Sequence, residues 1–339
     1  MNRRTFVGLS AVALAALPLR ADEPRIKVGL LGATHSHAPA KLNILQNHAA
    51  FEFIGAAETS DRVRRAHPAV RWIDRDELIE TAELVVVESD VRDHARDALD
   101  ALQAGKHVHV EKPPSAQWQE MLKLAAAARA QNRLLQVGYM WRHNPGFIRV
   151  FEAVRNGWLG EVYQVRAMMN NHLSANLRED WAQFAGGAFF ELAAHLVDAV
   201  IRLLGRPNSV TPVLRSSKGD ALADNNVVVF EFERVLATIT NSTNQPNAFA
   251  HRQFEVFGTK GTMLIKPLEQ PVLAVDLAQA AGPYQKGPQE VTLPKYERYR
   301  GEFDELARCI QTRTPLPVSM DQELLIHEWL LRASGMFTE

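Results

Sequence analysis

Lys106-His107-Val108-His109-Val110-Glu111-Lys112-Pro113 is the stretch from which the fold can be read. Its apolar run reads as a strand, and the acid, lysine and proline that close it put an ammonium at the strand's carboxyl end. Residues 92–104 before it have helical periodicity and stop at Gly105, the usual residue past a helix carboxyl terminus. A helix followed by a strand in this way is one unit of a parallel sheet, and ligands bind at the carboxyl edge of such sheets. Lys112 there can hydrogen-bond a substrate hydroxyl and tune its proton affinity, as hydride chemistry on an alcohol requires. The same three letters also suit a surface turn with a proline stop, so the neighbouring segments decide.

Working outward, short apolar runs alternate with amphipathic stretches, as in βαβ units. Strands are predicted at 26–31, 51–57 (ending at Glu58), 70–73, 84–87, 106–110 and 134–138, with helices between them, among them 116–131. Leu84-Val85-Val86-Val87 is apolar throughout, as in a strand buried on both faces. These six strands predict a doubly wound nucleotide-binding domain over residues 25–142. Beyond Asn144-Pro145 the pattern changes to a helix over 146–156 and strands of alternating polarity at 162–170, 208–216, 227–232, 235–242 and 251–258. One helix is predicted over 189–204 and two more over 300–312 and 321–332. The class is therefore α/β: a parallel doubly wound sheet followed by an α+β domain, residues 143–339, with a largely antiparallel sheet. Helices are expected on one face of that sheet, leaving the other for a homo-oligomer, a dimer or tetramer.

The 339 residues suffice for two cores, and a formal net charge of −1 gives no reason to expect a nucleic-acid partner. The single cysteine, Cys309, excludes an intrachain disulfide and a cysteine-based zinc site. Arg3-Arg4 ahead of an alanine-rich stretch too short to span a bilayer predicts a twin-arginine export signal over residues 1–24. That implies passage through the twin-arginine machinery and a periplasmic or secreted location; the alternative is an uncleaved amino-terminal anchor.

The first turn, Gly32-Ala33-Thr34-His35-Ser36-His37, stands where a dinucleotide site has G-x-G-x-x-G. Only Gly32 keeps the pattern, with Thr34 and His37 at the other glycine positions; Thr34 and Ser36 offer hydroxyls to a phosphate. His35 and His37 invite a metal reading, but no acidic or thiol partner lies nearby in sequence, and no metal is predicted. Glu58, about 20 residues past the turn, is placed to accept from adenosine ribose hydroxyls and to repel a 2′-phosphate, which favours NAD over NADP. In Gly186-Gly187-Ala188-Phe189-Phe190-Glu191-Leu192-Ala193-Ala194-His195-Leu196-Val197-Asp198, Glu191 and His195 are four apart and share a helix face, suited to relaying a hydroxyl proton. A core histidine in a structural helix is the plainer reading, and Lys112 upstream tips the balance to chemistry.

Together these pieces resemble the glucose–fructose oxidoreductase and inositol dehydrogenase family (Gfo/Idh/MocA). The likeness runs from Ala104-Gly105-Lys106 through Glu111-Lys112-Pro113, with His94 before it. It continues through Val137-Gly138-Tyr139 with Arg142, Gly157-x-x-Gly160-Glu161-Val162, Gly186-Gly187 with His195, Gly258-Thr259-Lys260-Gly261-Thr262 and Pro317-Val318-Ser319. The resemblance implies that Lys112 and His195 are catalytic, with Glu191 where relatives usually carry an aspartate. It places Ser89, His94, Glu111, Tyr139 and Arg142 around the cofactor, and Asn170, Asn171, His172, Arg178 and Trp181 around a polyhydroxylated substrate. The expected activity is NAD(H)-dependent oxidation or reduction of a carbinol carbon in a sugar, polyol or sugar derivative. Redox-neutral glycosidase, lyase or epimerase chemistry using NAD, and a non-catalytic sugar-binding role, are the alternatives.

Overall fold

The computed structural model describes residues 24–338, so the predicted export signal lies outside the described residues apart from Pro24. The first part of the chain runs β1 (Ile26–Leu31), α1 (Ala38–Asn47), β2 (Phe51–Ala57), α2 (Asp61–Ala66), α3 (Arg75–Thr81), β3 (Leu84–Val87), α4 (Val91–Gln103), β4 (His107–Val110), α5 (Trp118–Ala130) and β5 (Leu135–Val137). All pairings are parallel, in the order β2-β1-β3-β4-β5. The strand order reverses between β1 and β3, so the turns after those two strands flank the crevice where such sheets bind ligands. The four residues of β3 are buried, as their uninterrupted apolarity requires of a strand covered on both faces.

The sheet has five strands, not six. Residues 70–73 contribute a single bridge, Trp72 to Ala56, made by two hydrogen bonds with the Ala56 peptide. Asp74 then caps α3 by accepting from the Asp76 N–H at 2.8 Å, which turns the chain away before a ladder can grow.

A short 3₁₀ turn (Met140–His143) leads into α6 (Pro145–Arg155), whose cap Asn144 accepts from the Gly146 and Phe147 amides. There follow β6 (Val162–Met168), α7 (Ala175–Ala182), α8 (Gly187–Leu192), α9 (Ala194–Leu204), β7 (Ser209–Arg215), β8 (Asn225–Glu231), β9 (Leu236–Ser242), β10 (Gln253–Gly258), β11 (Gly261–Ile265), β12 (Leu273–Leu277) and β13 (Gly287–Val291). They form an eight-stranded sheet in the order β13-β12-β11-β10-β6-β9-β8-β7, antiparallel except for β6 with β9. The predicted helix over 189–204 is two helices, interrupted at Ala193. Gly187 opens α8 at φ +49°, where a Cβ would lie 2.7 Å from the Ala223 carbonyl oxygen. Glycine admits that approach, and the Ala188 N–H donates to the same Ala223 carbonyl at 2.9 Å.

The closing helices α10 (Arg300–Thr312) and α11 (Met320–Ala333) depart from expectation in another way. Rather than belonging to the second sheet alone, they return to the first domain. Phe303 is fully buried and packs against Phe51 and His109, with ring centroids 6.2 and 4.9 Å apart. The Gln136 side-chain amide donates to the Glu302 carbonyl at 3.2 Å, and Arg129 pairs with Asp321 at 2.6 Å. Burying a phenylalanine is worth roughly 1.5–3 kcal/mol, so this strap holds the carboxyl terminus to the nucleotide-binding half.

Candidate active site

Between the two halves lies a cleft of about 730 Å³. Its floor is the turn after β1 with Lys112 at the end of β4; its far wall comes from α7–α9 and the loops beside β9 and β10. Lys112 is only 6% exposed, and its Nζ donates to the Glu191 carbonyl at 3.0 Å, beside the α8–α9 break. His195, in the first turn of α9, is buried against Trp141 and Tyr139, yet also lines the cleft. Burial, helped by the Lys112 ammonium, pushes its pKa well below the usual imidazole value, so at neutral pH the ring is uncharged. Among the described residues its Nδ1 has no hydrogen-bond partner. The fold thus brings the ammonium of one half and the imidazole of the other to one cavity.

Glu191 also lines this cavity, and burial raises its pKa. It does not orient His195, because the break at Ala193 interrupts the helix that the spacing of four assumed. Its contribution to the site geometry is through its backbone, by holding Lys112.

The turn after β1 keeps the backbone geometry of a dinucleotide site. Gly32 has φ +74°, and a Cβ there would fall 2.4 Å from the Ser89 Cα, so only glycine admits so close an approach of the two turns. Thr34 and Ser36 are exposed at the cleft. Among the described residues their N–H groups meet no protein acceptor, leaving donors for a phosphate near the start of α1. Glu58 points its carboxylate at the Ala33 and Ser60 amides, at 2.7 and 2.8 Å, which fixes it at the end of β2 beside this turn. The residues present fit a dinucleotide held by backbone amides, with Thr34 and His37 as side chains where glycines are usual.

His37 turns its ring inward. Its Nδ1 lies 3.2 Å from Glu111 Oε2, and burial, the largest influence, lowers its pKa to about 4. Glu111 is completely buried and joins a charged cluster that the sequence did not disclose. Lys41, on α1, is also fully buried; its Nζ sits 2.8 Å from Glu88 Oε1, 2.8 Å from His109 Nε2, 2.5 Å from Glu111 Oε2 and 3.5 Å from Glu302 Oε1. Burial pushes Glu302 up to about 8, against the pull of Lys41, so it holds its proton at neutral pH. Glu88 and Glu111 remain below the ordinary carboxylate range under the Lys41 ammonium, against the effect of their burial.

Several residues expected around the cofactor or substrate have other duties. Arg142 does not line the cleft: its guanidinium bonds Asp198 at 2.8 Å and Glu323 at 2.6 Å, clamping α9 to α11. Tyr139 is buried behind His195 and under the Arg142 guanidinium, 4.8 Å from its ring centroid. His94 lies between the Pro113 carbonyl at 2.8 Å and the Ser89 carbonyl at 3.1 Å, tying the turn after β3 to the loop that carries Lys112. Ser89 is buried beneath Gly32 rather than open to the cleft. Of the expected substrate residues, Asn171 and Trp181 line the cavity. Asn170 bonds the Gln245 side chain and the Ser242 amide, and His172 is exposed and bridges to Asn244. Arg178 faces Asp224 and Asp220, both at 2.7 Å, and anchors α7.

Arg252, Arg298 and Tyr299, which no motif marks, also line the cavity. Arg252 is buried, pairs with Glu269, and donates to the Asn170 carbonyl at 2.8 Å. Arg298 is exposed, and Tyr299 beside it has φ +65° just before α10. A tyrosine in that backbone region has no marker in a linear sequence.

Comparison with known proteins gives this geometry a context. Residues 26–139 match the family described as "Oxidoreductase family, NAD-binding Rossmann fold", and residues 147–264 match "GFO/IDH/MocA C-terminal domain". An uncharacterized oxidoreductase of Schizosaccharomyces pombe is 33% identical over 208 residues, 57% of this chain and 55% of that protein. The scyllo-inositol 2-dehydrogenase (NADP(+)) of Bacillus subtilis is 27% identical over 206 residues, 58% of this chain and 56% of that protein. The chain thus aligns with about half the length of these curated relatives. Among solved structures, UDP-N-acetylglucosamine 3-dehydrogenase from Acidithiobacillus ferrooxidans superposes with a TM-score of 0.78 at 16% identity, covering 93% of this chain and 98% of that one.

Proposed function

This chain belongs to the Gfo/Idh/MocA family of oxidoreductases, with an NAD(P)-binding Rossmann domain, and from that premise we propose that it oxidises or reduces a carbinol carbon of a sugar, polyol or sugar derivative. The observation that carries the reading is the meeting of Lys112 and His195 at one cleft beside the turn after β1. A bound nicotinamide supplies the hydride acceptor or donor. Gly32, Thr34, Ser36 and the α1 amides would hold its pyrophosphate, with Glu58 at the ribose end. Lys112 Nζ hydrogen-bonds the substrate hydroxyl and stabilises its developing oxyanion. Neutral His195 accepts the hydroxyl proton in oxidation and returns it in reduction. Burial of both groups strengthens these interactions by excluding water.

Glu58 supports NAD as the preferred coenzyme, since its carboxylate would repel a 2′-phosphate. Asn171 and Trp181 offer an amide and an aromatic face, a combination suited to a polyhydroxylated ring. The outer face of the second sheet supports a homo-oligomer, because Val213, Val227 and Leu236 stand 44%, 43% and 51% exposed there. Residues 1–24 support export by the twin-arginine route to the periplasm or beyond.

The test is direct. Purified protein incubated with NAD and a panel of sugars and inositols is expected to build absorbance near the reduced nicotinamide band. No reduction with any of them, and no nicotinamide in the denatured protein or by calorimetry, would sink the reading. Light scattering is expected to give a dimer or tetramer, and a monomer at micromolar concentration would contradict the proposed assembly. A reporter fused after residue 24 should reach the periplasm, and fail to do so when Arg3 and Arg4 become lysines.

A further inference from the structure

We propose that His35, His37 and Glu111 form a binding site for a first-row divalent transition-metal ion of the zinc class, on the floor of the cleft beside Lys112. The two histidines have no acidic neighbour in sequence; β4 supplies one in space. One donor atom from each of the three residues lies within 4.8 Å of the other two. His37 Nδ1 and Glu111 Oε2 are 3.2 Å apart. Ligands about 2.0–2.2 Å from one zinc ion stand roughly 3 Å from each other, so this pair is already at ligand spacing.

Two buried polar atoms at the same place lack an aligned hydrogen bond among the described residues. His37 Nδ1 is buried, and despite its nearness to Glu111 it lacks hydrogen-bond alignment with any partner. Glu88 is completely buried, and its Oε2, 3.7 Å from His35 Nδ1, also makes no hydrogen bond among the described residues. Buried polar atoms are seldom left unmet, and each one costs about 1–3 kcal/mol. An ion held by the two histidines would take His37 Nδ1 as a ligand, with the Glu88 carboxylate 3.7 Å behind His35 Nδ1. Two imidazoles and a carboxylate, with remaining positions open to a cleft, form a donor set that suits zinc and its neighbours. The contacts needed to fix the carboxylate are present: Glu111 Oε1 accepts the Lys112 N–H at 2.9 Å, and Oε2 is held by Lys41. Ligation by His35 Nδ1 would give up one long contact, the 3.3 Å bond from the His37 N–H.

A second group, Glu88, His109 and Glu111, has comparable spacing but is already served, because the Lys41 ammonium sits among all three. Charge at that position is internal. At the histidine pair the Lys41 ammonium reaches only Glu111, and no cation bonds either imidazole among the described residues.

The site uses side chains, whereas the dinucleotide is assigned to backbone amides, so this inference goes beyond the hydride-transfer reading and is tested without nucleotide. Chelator-treated full-length protein is titrated with Co²⁺, followed by its visible d–d absorption, and with Zn²⁺ by calorimetry. The expected result is one equivalent of either ion, with at least a hundredfold weaker binding in His37→Ala and in His35→Ala, and no change in His172→Ala. His35→Ala is the safeguard against misfolding, since its ring is partly exposed, and thermal melts of each variant accompany the titrations. Substoichiometric binding by the unaltered protein, or unchanged affinity in both histidine variants, overturns the proposal. Neither result bears on NAD binding, which is measured separately.

Discussion

Lys41 and Lys112 flank the same carboxylate, Glu111, and illustrate two uses of a buried ammonium. Lys41 reaches two carboxylates and an imidazole within 2.8 Å and a third carboxyl at 3.5 Å. Among the described residues Lys112 Nζ has one neutral partner, the Glu191 carbonyl, and it borders the cleft. A cation surrounded by internal counter-charges is part of the architecture, since removing it leaves carboxylates buried and uncompensated. A cation held by one carbonyl at a cavity wall retains donors for a ligand. Position along the chain does not separate these roles; the number and charge of the partners does.

The contrast is broken most directly at Lys112. Lys112→Met is expected to lower turnover by about three orders of magnitude or more, within the range of a lost proton-handling group, while the melting temperature shifts by only a few degrees. An active Lys112→Met enzyme would remove the distinction. Lys41→Met is expected to do the opposite, destabilising the fold by about 3–5 kcal/mol because Glu88 and Glu111 lose their cation. Denaturant titration measures that loss, and a Lys41→Met protein of unchanged stability would show the cluster to be dispensable.

His195→Asn is expected to reduce turnover by about a hundredfold, with a smaller effect on KM and little on stability. Steady-state kinetics over a pH series would check it, and an unchanged rate would move proton transfer to another group. An effect confined to the pH dependence of stability is assigned to Glu302, whose pKa is pushed up to about 8. The folded chain therefore holds this proton more tightly than the unfolded chain, so stability present below pH 4.5 is lost as pH rises toward 8. Glu302→Gln should flatten that part of the stability profile, read by denaturant titration at pH 5 and at pH 8. An identical slope in both proteins would mean that Glu302 is ionised in the native state.

Much of the nucleotide-binding half was legible because its signals are local. The uniformly apolar β3, Gly105 closing α4, and the acid and lysine after β4 each reflect a neighbour-to-neighbour constraint. The bridge at Trp72 was not, since whether 70–73 becomes a strand depends on the cap at Asp74 and on the sheet edge. Lys112 and His195 were identified from motifs at the ends of elements. Arg142 and Arg178 were misplaced for the converse reason: each resembles a cleft residue until Glu323 and Asp198, or Asp224 and Asp220, arrive from distant segments. Lys41 was missed because a lysine in an amphipathic helix reads as solvated surface, and only the return of α10 with Glu302 completes its burial.

By itself, the order of residues determined the alternation of strands and helices and the change of architecture after Asn144, and it singled out Lys112 and His195, the two side chains that line one cleft and to which we assign proton transfer. Tertiary structure decided which charges are neutralised internally, where the long helix breaks, and how His35 and His37 acquire an acid. The physical reason is range. Periodicity, capping and turn chemistry act over a few residues, whereas the state of a buried charge is set by every group within a few ångströms, and those groups come from segments up to 261 positions away.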